Sequence, residues 1–197
     1  MTNKNNAAAP PRSYEIRFHG RGGQGTVSAA ALMALAAFED GFESQAFPKF
    51  GSERRGAPVE AYVRISQLLI RSHNQVYMPD AVVIQDAGLL RSEPLLRGLK
   101  ADGLVVLNAA EKPADMSDNF RWICLPASQI GERHLGRPLS NTVLLGALAA
   151  GTGWVTLAAL ERAITDHLAS KGEAVVVANI EAVREGYGFI APKEDVA

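Results

Sequence analysis

Gly20, Gly22 and Gly25 complete a G-x-G-x-x-G pattern, with Gly23 and Gln24 inside it, in FHGRGGQGTVSAAALMALAAFEDG (Phe18–Gly41). Between a strand and a helix this spacing suits phosphate chemistry. Glycine lets the chain turn sharply and lets an anion reach the backbone, while the helix N-terminus points its free N–H groups at that anion. A tight corner with no ligand favours glycine for the same steric reasons, so both readings stand at this point. A dinucleotide site adds an acidic residue about 20 residues on, at the end of the second strand, for the ribose hydroxyls. Here that strand ends in AFPKF without an acid, and Asp40 falls before it, at the expected helix end. Lys49, Arg54 and Arg55 follow, offset locally only by Glu53. Arginine suits bidentate phosphate contact, so the pattern favours a polyphosphate ligand over NAD; the alternative for ERRGAP is a solvated charged loop.

Two polar residues sit where α/β sheets bind ligands. Asp86 ends the apolar run DAVVIQD, and Asn141 opens a helix after Pro138–Ser140; helix or turn capping is the competing role for each. His19 stands beside the glycine loop and reads as satisfied or merely exposed, as does His73. His134 and His167 fall on expected helix surfaces, and no pair of histidines has metal-ligand spacing. Cys124, the single cysteine, lies in RWICL and reads as a small buried hydrophobe. One thiolate cannot hold an iron–sulfur cluster, which takes about four.

The elements that must position these residues follow from periodicity. Ser13–His19 alternates and reads as a first strand, and Thr26 to about Asp40, free of Gly and Pro, reads as a helix stopped by Gly41. Glu43–Phe47, Val59–Ile65, Asp80–Gln85, Leu104–Leu107 and Arg121–Leu125 read as further strands. Pro48–Pro58 is a loop, and a short helix-like piece interrupted by Pro94 runs from Asp86 to Leu99. Ser140–Ala150, Thr156–Ala169 and Glu173–Tyr187 carry apolar residues at helical spacing, with breaks at Gly151–Trp154 and Lys171–Gly172. Strands alternating with helices predict an α/β fold, three-layer, with a Rossmann-like, mainly parallel sheet flanked by helices.

The chain has 197 residues, 47% hydrophobic and 21% charged, with a formal net charge of −1. That supports one domain over 14–197 behind a flexible polar tail, 1–13, and argues against a nucleic-acid binder. No apolar run approaches the roughly 20 residues of a membrane span, and the tail lacks the apolar core of a secretory signal, so a cytoplasmic location is expected.

Four segments in order, GRGGQGTVSAAALMALAAFEDG, QAFPKFGSERRGAPVEAYVRIS, DAVVIQD and PLSNTVLLGALAA, resemble the gamma subunit of 2-oxoacid:acceptor oxidoreductases of the pyruvate:ferredoxin oxidoreductase type. The resemblance runs from about Tyr14 to Tyr187, and its most specific parts are GRGGQG and GSERRGAPV. It implies an α/β subunit, inactive alone, that helps bind coenzyme A within a complex of alpha, beta and delta-type subunits. Thiamine diphosphate, Mg and [4Fe-4S] clusters are implied on those partners, in keeping with the absence here of a GDG motif for thiamine diphosphate. The implied reaction is oxidative decarboxylation of a 2-oxoacid to an acyl-CoA, with electrons passing to ferredoxin, or to NAD through a flavin subunit. The loop ERRGAPV looks like the pyruvate branch, and an aromatic 2-oxoacid such as phenylglyoxylate stays open. By motif position the contacts fall to Gly22, Gly23 and Gln24 in the loop, to Arg54 and Arg55, and to Asn141, none of them as acid or base. Two competing expectations are a purely structural interface subunit and a stand-alone NAD-binding dehydrogenase.

Overall fold

The computed structural model describes residues 12–49 and 56–190. Most of the expected tail, and Arg54 and Arg55 with it, lie outside the described residues; Ser13, the last residue of that tail, already pairs in the sheet.

Six strands form one sheet in the order β2-β3-β1-β4-β5-β6. They are β1 (Ser13–Arg21), β2 (Glu43–Pro48), β3 (Pro58–Ser66), β4 (Ala81–Ile84), β5 (Leu104–Asn108) and β6 (Arg121–Leu125). β1, β4, β5 and β6 pair in parallel, whereas β3 pairs antiparallel with both β1 and β2. A single reversed strand therefore interrupts an otherwise co-directional sheet. β4 and β5 are buried along nearly their whole length, as their unbroken apolar runs require.

Alternation sorts side chains onto two unequal faces. Ile16, Phe18, Val63, Val83 and Val106 join a large core beneath α1 (Thr26–Glu39), α3 (Ala127–Leu135), α4 (Asn141–Thr152), α5 (Leu157–Leu168) and α6 (Glu173–Gly188). α1 is alanine-rich and buried at Ala29, Ala30, Leu32, Met33, Ala36 and Ala37, because it lies between the sheet and α5. Small side chains permit that sandwiching. α4 and α6 come closer still: a Cβ on Gly146 would strike the Val183 carbonyl, and one on Gly186 the Val143 carbonyl. The other face has a thin cover, α2 (Leu89–Ser92) and the irregular chain after it, packing Leu89, Leu95 and Leu99 on Val82, Ile84, Val105 and Leu107.

Several expectations are corrected. α3 is a helix with no marked sequence signal, and α4 continues through Gly151 to Thr152. The helix-like piece between Asp86 and Leu99 shrinks to one turn, with the backbone extended at Glu93 just before Pro94. Cys124 is half-buried rather than buried, on the thinly covered face, and burial raises its thiol pKa.

Arg17, His19 and Arg64 alternate outward from the main core yet are buried. The thin layer covers them through its backbone. Arg17 Nη2 donates to the carbonyls of Leu95 (2.6 Å) and Arg97 (2.8 Å), and Arg64 Nη2 donates to that of Asn74 (2.6 Å). Arg17 Nε donates to His19 Nε2 at 3.2 Å, which requires that nitrogen to be unprotonated. Burial, reinforced by Arg17 and Lys49 and opposed by Glu60, pushes the His19 pKa down to about 4. Between pH 6.5 and about 4 the unfolded chain binds a proton here that the folded chain refuses, so stability falls as pH drops through that window. Denaturant titrations from pH 7 to 4 should show a loss of about 3 kcal/mol attributable to this residue, and His19→Gln should flatten that part of the profile.

Candidate functional site

β1 ends at Arg21 and the chain turns through Gly22–Gly25 into α1. Two glycines carry the turn: Gly23 (φ 97°), and Gly25, the left-handed N-cap residue of α1 (φ 74°), both in a region other residues rarely adopt. Gln24 N–H donates to the Arg21 carbonyl (3.0 Å), and Gln24 Oε1 accepts from Arg21 N–H (2.7 Å). The Gln24 side chain thus closes the loop on itself. Gly20 has a different reason for being glycine. A Cβ there would collide with Gln85 Oε1 and Thr26 Oγ1, which are hydrogen-bonded to each other at 2.5 Å.

Gln85 is 1% exposed and was not singled out from the sequence. Its Nε2 reaches the Gln24 carbonyl (3.4 Å), and its own carbonyl accepts from Asn108 Nδ2 (2.9 Å), which also donates to Ser128 Oγ (2.7 Å). These polar residues lie at the ends of β4 and β5, and the sequence signal was there: a polar residue closing each apolar run. Asp86 pairs with Arg21 Nε (2.5 Å) and accepts from Gly88 N–H (2.8 Å), so it holds the loop and caps the next turn. Asp40 accepts from Thr156 N–H (2.6 Å) and Oγ1 (2.9 Å), tying the end of α1 to the start of α5, far from any ribose role.

A pocket of about 660 Å³ opens against this loop. Gly23, Gly25 and Ser28 form one wall, Asn141 and Thr142 at the start of α4 another, and Ala174 and Val175 at the start of α6 a third. Arg137 and Lys171 add positive charge, and among the described residues no carboxylate lines it. Three helix N-termini and two cations make the pocket attractive to an anion. Asn141 packs so closely that a Cβ on Gly25 would stand 2.7 Å from its Nδ2. Its Oδ1 is buried without a hydrogen-bond partner among the described residues, and Ser140 makes no side-chain cap. A buried orphan acceptor is costly unless a ligand supplies a donor.

Of the residues expected to bind, Gly23 and Asn141 therefore meet in one pocket, beside Gly25. Gly22 N–H donates to the Ala57 carbonyl (2.9 Å), so the amides available to an anion belong to Gly23 and the first turn of α1. Gly56, which follows Arg54 and Arg55, donates to the Gly22 carbonyl (3.3 Å), and its own carbonyl accepts from Arg21 Nη1 (3.2 Å). Lys49, grouped with those arginines in sequence, instead pairs with Glu60 (3.0 Å) on the other side of the sheet. Arg137 and Lys171 were missed because each is a lone cation in a polar loop. His134 bonds Glu185 (2.6 Å), His73 is exposed with Gln45 beside it (3.1 Å), and His167 is exposed on α5; none is free for catalysis in this pocket.

Residues 15–189 match the family model described as pyruvate ferredoxin/flavodoxin oxidoreductase. The chain belongs to this family. The pyruvate synthase subunit PorC of Methanothermobacter marburgensis is 49% identical over 173 residues, covering 88% of this chain and 95% of the relative. The pyruvate/ketoisovalerate oxidoreductases common subunit gamma of Pyrococcus abyssi is 43% identical over 179 residues, again 88% and 95%. The crystal structure of the pyruvate oxidoreductase subunit PORC of Thermotoga maritima superposes with a TM-score of 0.78 at 36% identity, covering 90% of this chain and 96% of that one. A 2-oxoglutarate:ferredoxin oxidoreductase of Magnetococcus marinus, solved with 2-oxoglutarate, coenzyme A and succinyl-CoA, shares the fold (TM-score 0.77, 22% identity) over 31% of its chain. The chain is accordingly the gamma subunit of a pyruvate/2-oxoacid:ferredoxin oxidoreductase, a multi-subunit enzyme. Among the described residues of this subunit no helix is long and apolar enough to cross a membrane.

The loop geometry separates two glycines by experiment. Gly20→Ala breaks the Thr26–Gln85 contact and should lower unfolding free energy by about 2–4 kcal/mol. Gly23→Ala meets open space and carries only its backbone cost, about 1 kcal/mol, in the same urea titration.

Proposed function

We propose that this subunit supplies the coenzyme A-binding wall of an enzyme that oxidatively decarboxylates a 2-oxoacid to an acyl-CoA. The observation that carries the reading is the carboxylate-free pocket at the glycine loop with the orphaned Asn141 Oδ1 inside it. Coenzyme A matches both halves of that description. Its phosphates suit the Gly23 amide, the first turn of α1 and the cations, whereas its hydroxyl, amide and amino donors suit an acceptor such as Asn141 Oδ1. Arg54 and Arg55, which lie outside the described residues, are assigned to the phosphates on the chemistry of their guanidinium groups.

Carbon–carbon cleavage and electron transfer belong to partner chains of alpha, beta and delta type, carrying thiamine diphosphate, Mg and [4Fe-4S] clusters. With a single cysteine this subunit does not fit a cluster. When bound to those partners, thiamine diphosphate supplies the electron sink for loss of CO₂. This chain's residues hold the acceptor thiol's carrier in place, converting an encounter into a positioned reaction. Each 2-oxoacid and coenzyme A then yield acyl-CoA, CO₂, a proton and two electrons. Pyruvate is the substrate the relatives' names favour, with an aromatic 2-oxoacid such as phenylglyoxylate as the alternative. Ferredoxin is the acceptor, or NAD through a flavin subunit, in the cytoplasm.

In the assembled enzyme, Arg54→Ala with Arg55→Ala should raise the KM for coenzyme A at least about tenfold, since charge-assisted contacts are worth roughly 1.5–3 kcal/mol each. The KM for the 2-oxoacid and the subunit composition should stay unchanged. Loss of assembly with an unaltered coenzyme A KM identifies a purely structural interface subunit instead, and tight NAD binding by the chain alone revives the dehydrogenase reading.

A further inference from the structure

A second cavity, of about 400 Å³, lies on the opposite sheet face, over β1 and β3, and shares no lining residue with the glycine-loop pocket. Such a volume falls in the range of small-molecule sites, roughly 300–1,000 Å³. Its floor is built from side chains that ordinarily face water: Arg17 is 8% exposed, His19 6% and Tyr62 1%. Buried charge demands partners, and the partners here are incomplete. Arg17 uses Nε on His19 and Nη2 on two carbonyls, leaving Nη1 without an acceptor among the described residues. His19 is held neutral by its burial, and because its Nε2 accepts from Arg17, its proton resides on Nδ1, which likewise has no acceptor among those residues.

The charges of the lining do not cancel. Arg17, Lys49 and Arg97 face Glu60 and Glu93, three cations against two carboxylates. Glu60 is already engaged by Lys49 (3.0 Å), with Arg17 Nε at 3.8 Å. Among the described residues one positive charge and the Arg17 Nη1 donor are left over, beside an apolar wall of Val76, Tyr77, Leu89 and Leu95. A monoanion with an apolar body suits both the charge and the wall, while a phosphate dianion overcompensates the charge and ignores the wall.

We propose that this cavity is a binding site for a small organic monocarboxylate, whose carboxylate accepts from Arg17 Nη1 and whose apolar body lies against Tyr77 and Leu95. The site is independent of the coenzyme A reading. It gives the subunit a means of sensing carboxylic acids of the size its enzyme processes, on the sheet face away from the glycine-loop pocket.

Calorimetric titration of the full-length chain with benzoate tests this, with benzamide as the uncharged isostere. Saturable 1:1 benzoate binding is expected, at least tenfold tighter than benzamide and unaffected by saturating coenzyme A. Tyr77 is 65% exposed, so Tyr77→Ala should leave the melting temperature nearly unchanged and weaken benzoate at least fivefold. Arg17→Lys, which keeps the charge but loses the planar fork and its bonds to the Leu95 and Arg97 carbonyls, should weaken benzoate at least fivefold as well and also lower the melting temperature. Absence of saturable binding, equal affinity for benzamide, competition by coenzyme A, or unchanged affinity in a folded Tyr77→Ala chain each overturns the proposal.

Discussion

The buried carboxamide of Gln85 decides where the glycine loop sits. Its oxygen receives Thr26 at the head of α1, its nitrogen reaches Gln24, its backbone N–H meets the His19 carbonyl at 2.8 Å, and its own carbonyl receives Asn108 from β5. One residue, through its backbone and its side chain, therefore joins the ends of three parallel strands to the helix whose N-terminus faces the pocket. Inside a protein such a group must be fully paired, and the pairing leaves no slack: Gly20 has to lack a side chain because the Thr26–Gln85 bond fills the space a Cβ needs. The glycine pattern that signals phosphate binding is thus partly a packing requirement. The first glycine serves the amide and the later two serve the turn.

The division of labour between the two cavities follows from charge. Around the glycine loop the lining offers backbone N–H groups, two cations and an orphan acceptor, with no carboxylate or free imidazole to move a proton. That inventory suits holding and orienting. The far face instead buries arginines within the thin layer, where loop carbonyls supplement the carboxylates of Glu15, 2.8 Å from Arg64, and Glu60, 3.8 Å from Arg17. The long helices on one side and the guanidinium-anchored loops on the other explain how a sheet with such different faces stays covered.

Much of this was readable from residue order. β4 and β5 showed themselves as continuous apolar runs, α1 as an alanine- and leucine-rich stretch, and Gly23 and Asn141 as separate candidates that the fold brings to one pocket. α3 stayed hidden because it is short and carries Gly131, which helix propensity penalises; the glycine is there because a Cβ would enter the Leu139 carbonyl. The burial of Arg17, His19 and Arg64 was not legible, since alternation reports which side of the strand a residue takes and says nothing of what later covers that side. Lys49 read as one of a basic group, but its neighbour across the pleat, Glu60, is eleven residues away and only strand pairing brings it close.

The reversal of β3 has an evolutionary implication. β2 and β3 form an antiparallel pair, registered from Glu43↔Ser66 to Pro48↔Ala61, and Gly56 and Ala57, just before β3, bond to Gly22 of the glycine loop. The tilted ring pair of Phe47 and Tyr62 and the Arg64 guanidinium over Phe47 hold that register from within the strands. The register is thus set within β2 and β3 themselves and does not depend on the residues that join them, which makes that connection a natural place for related enzymes to diverge in what they recognise.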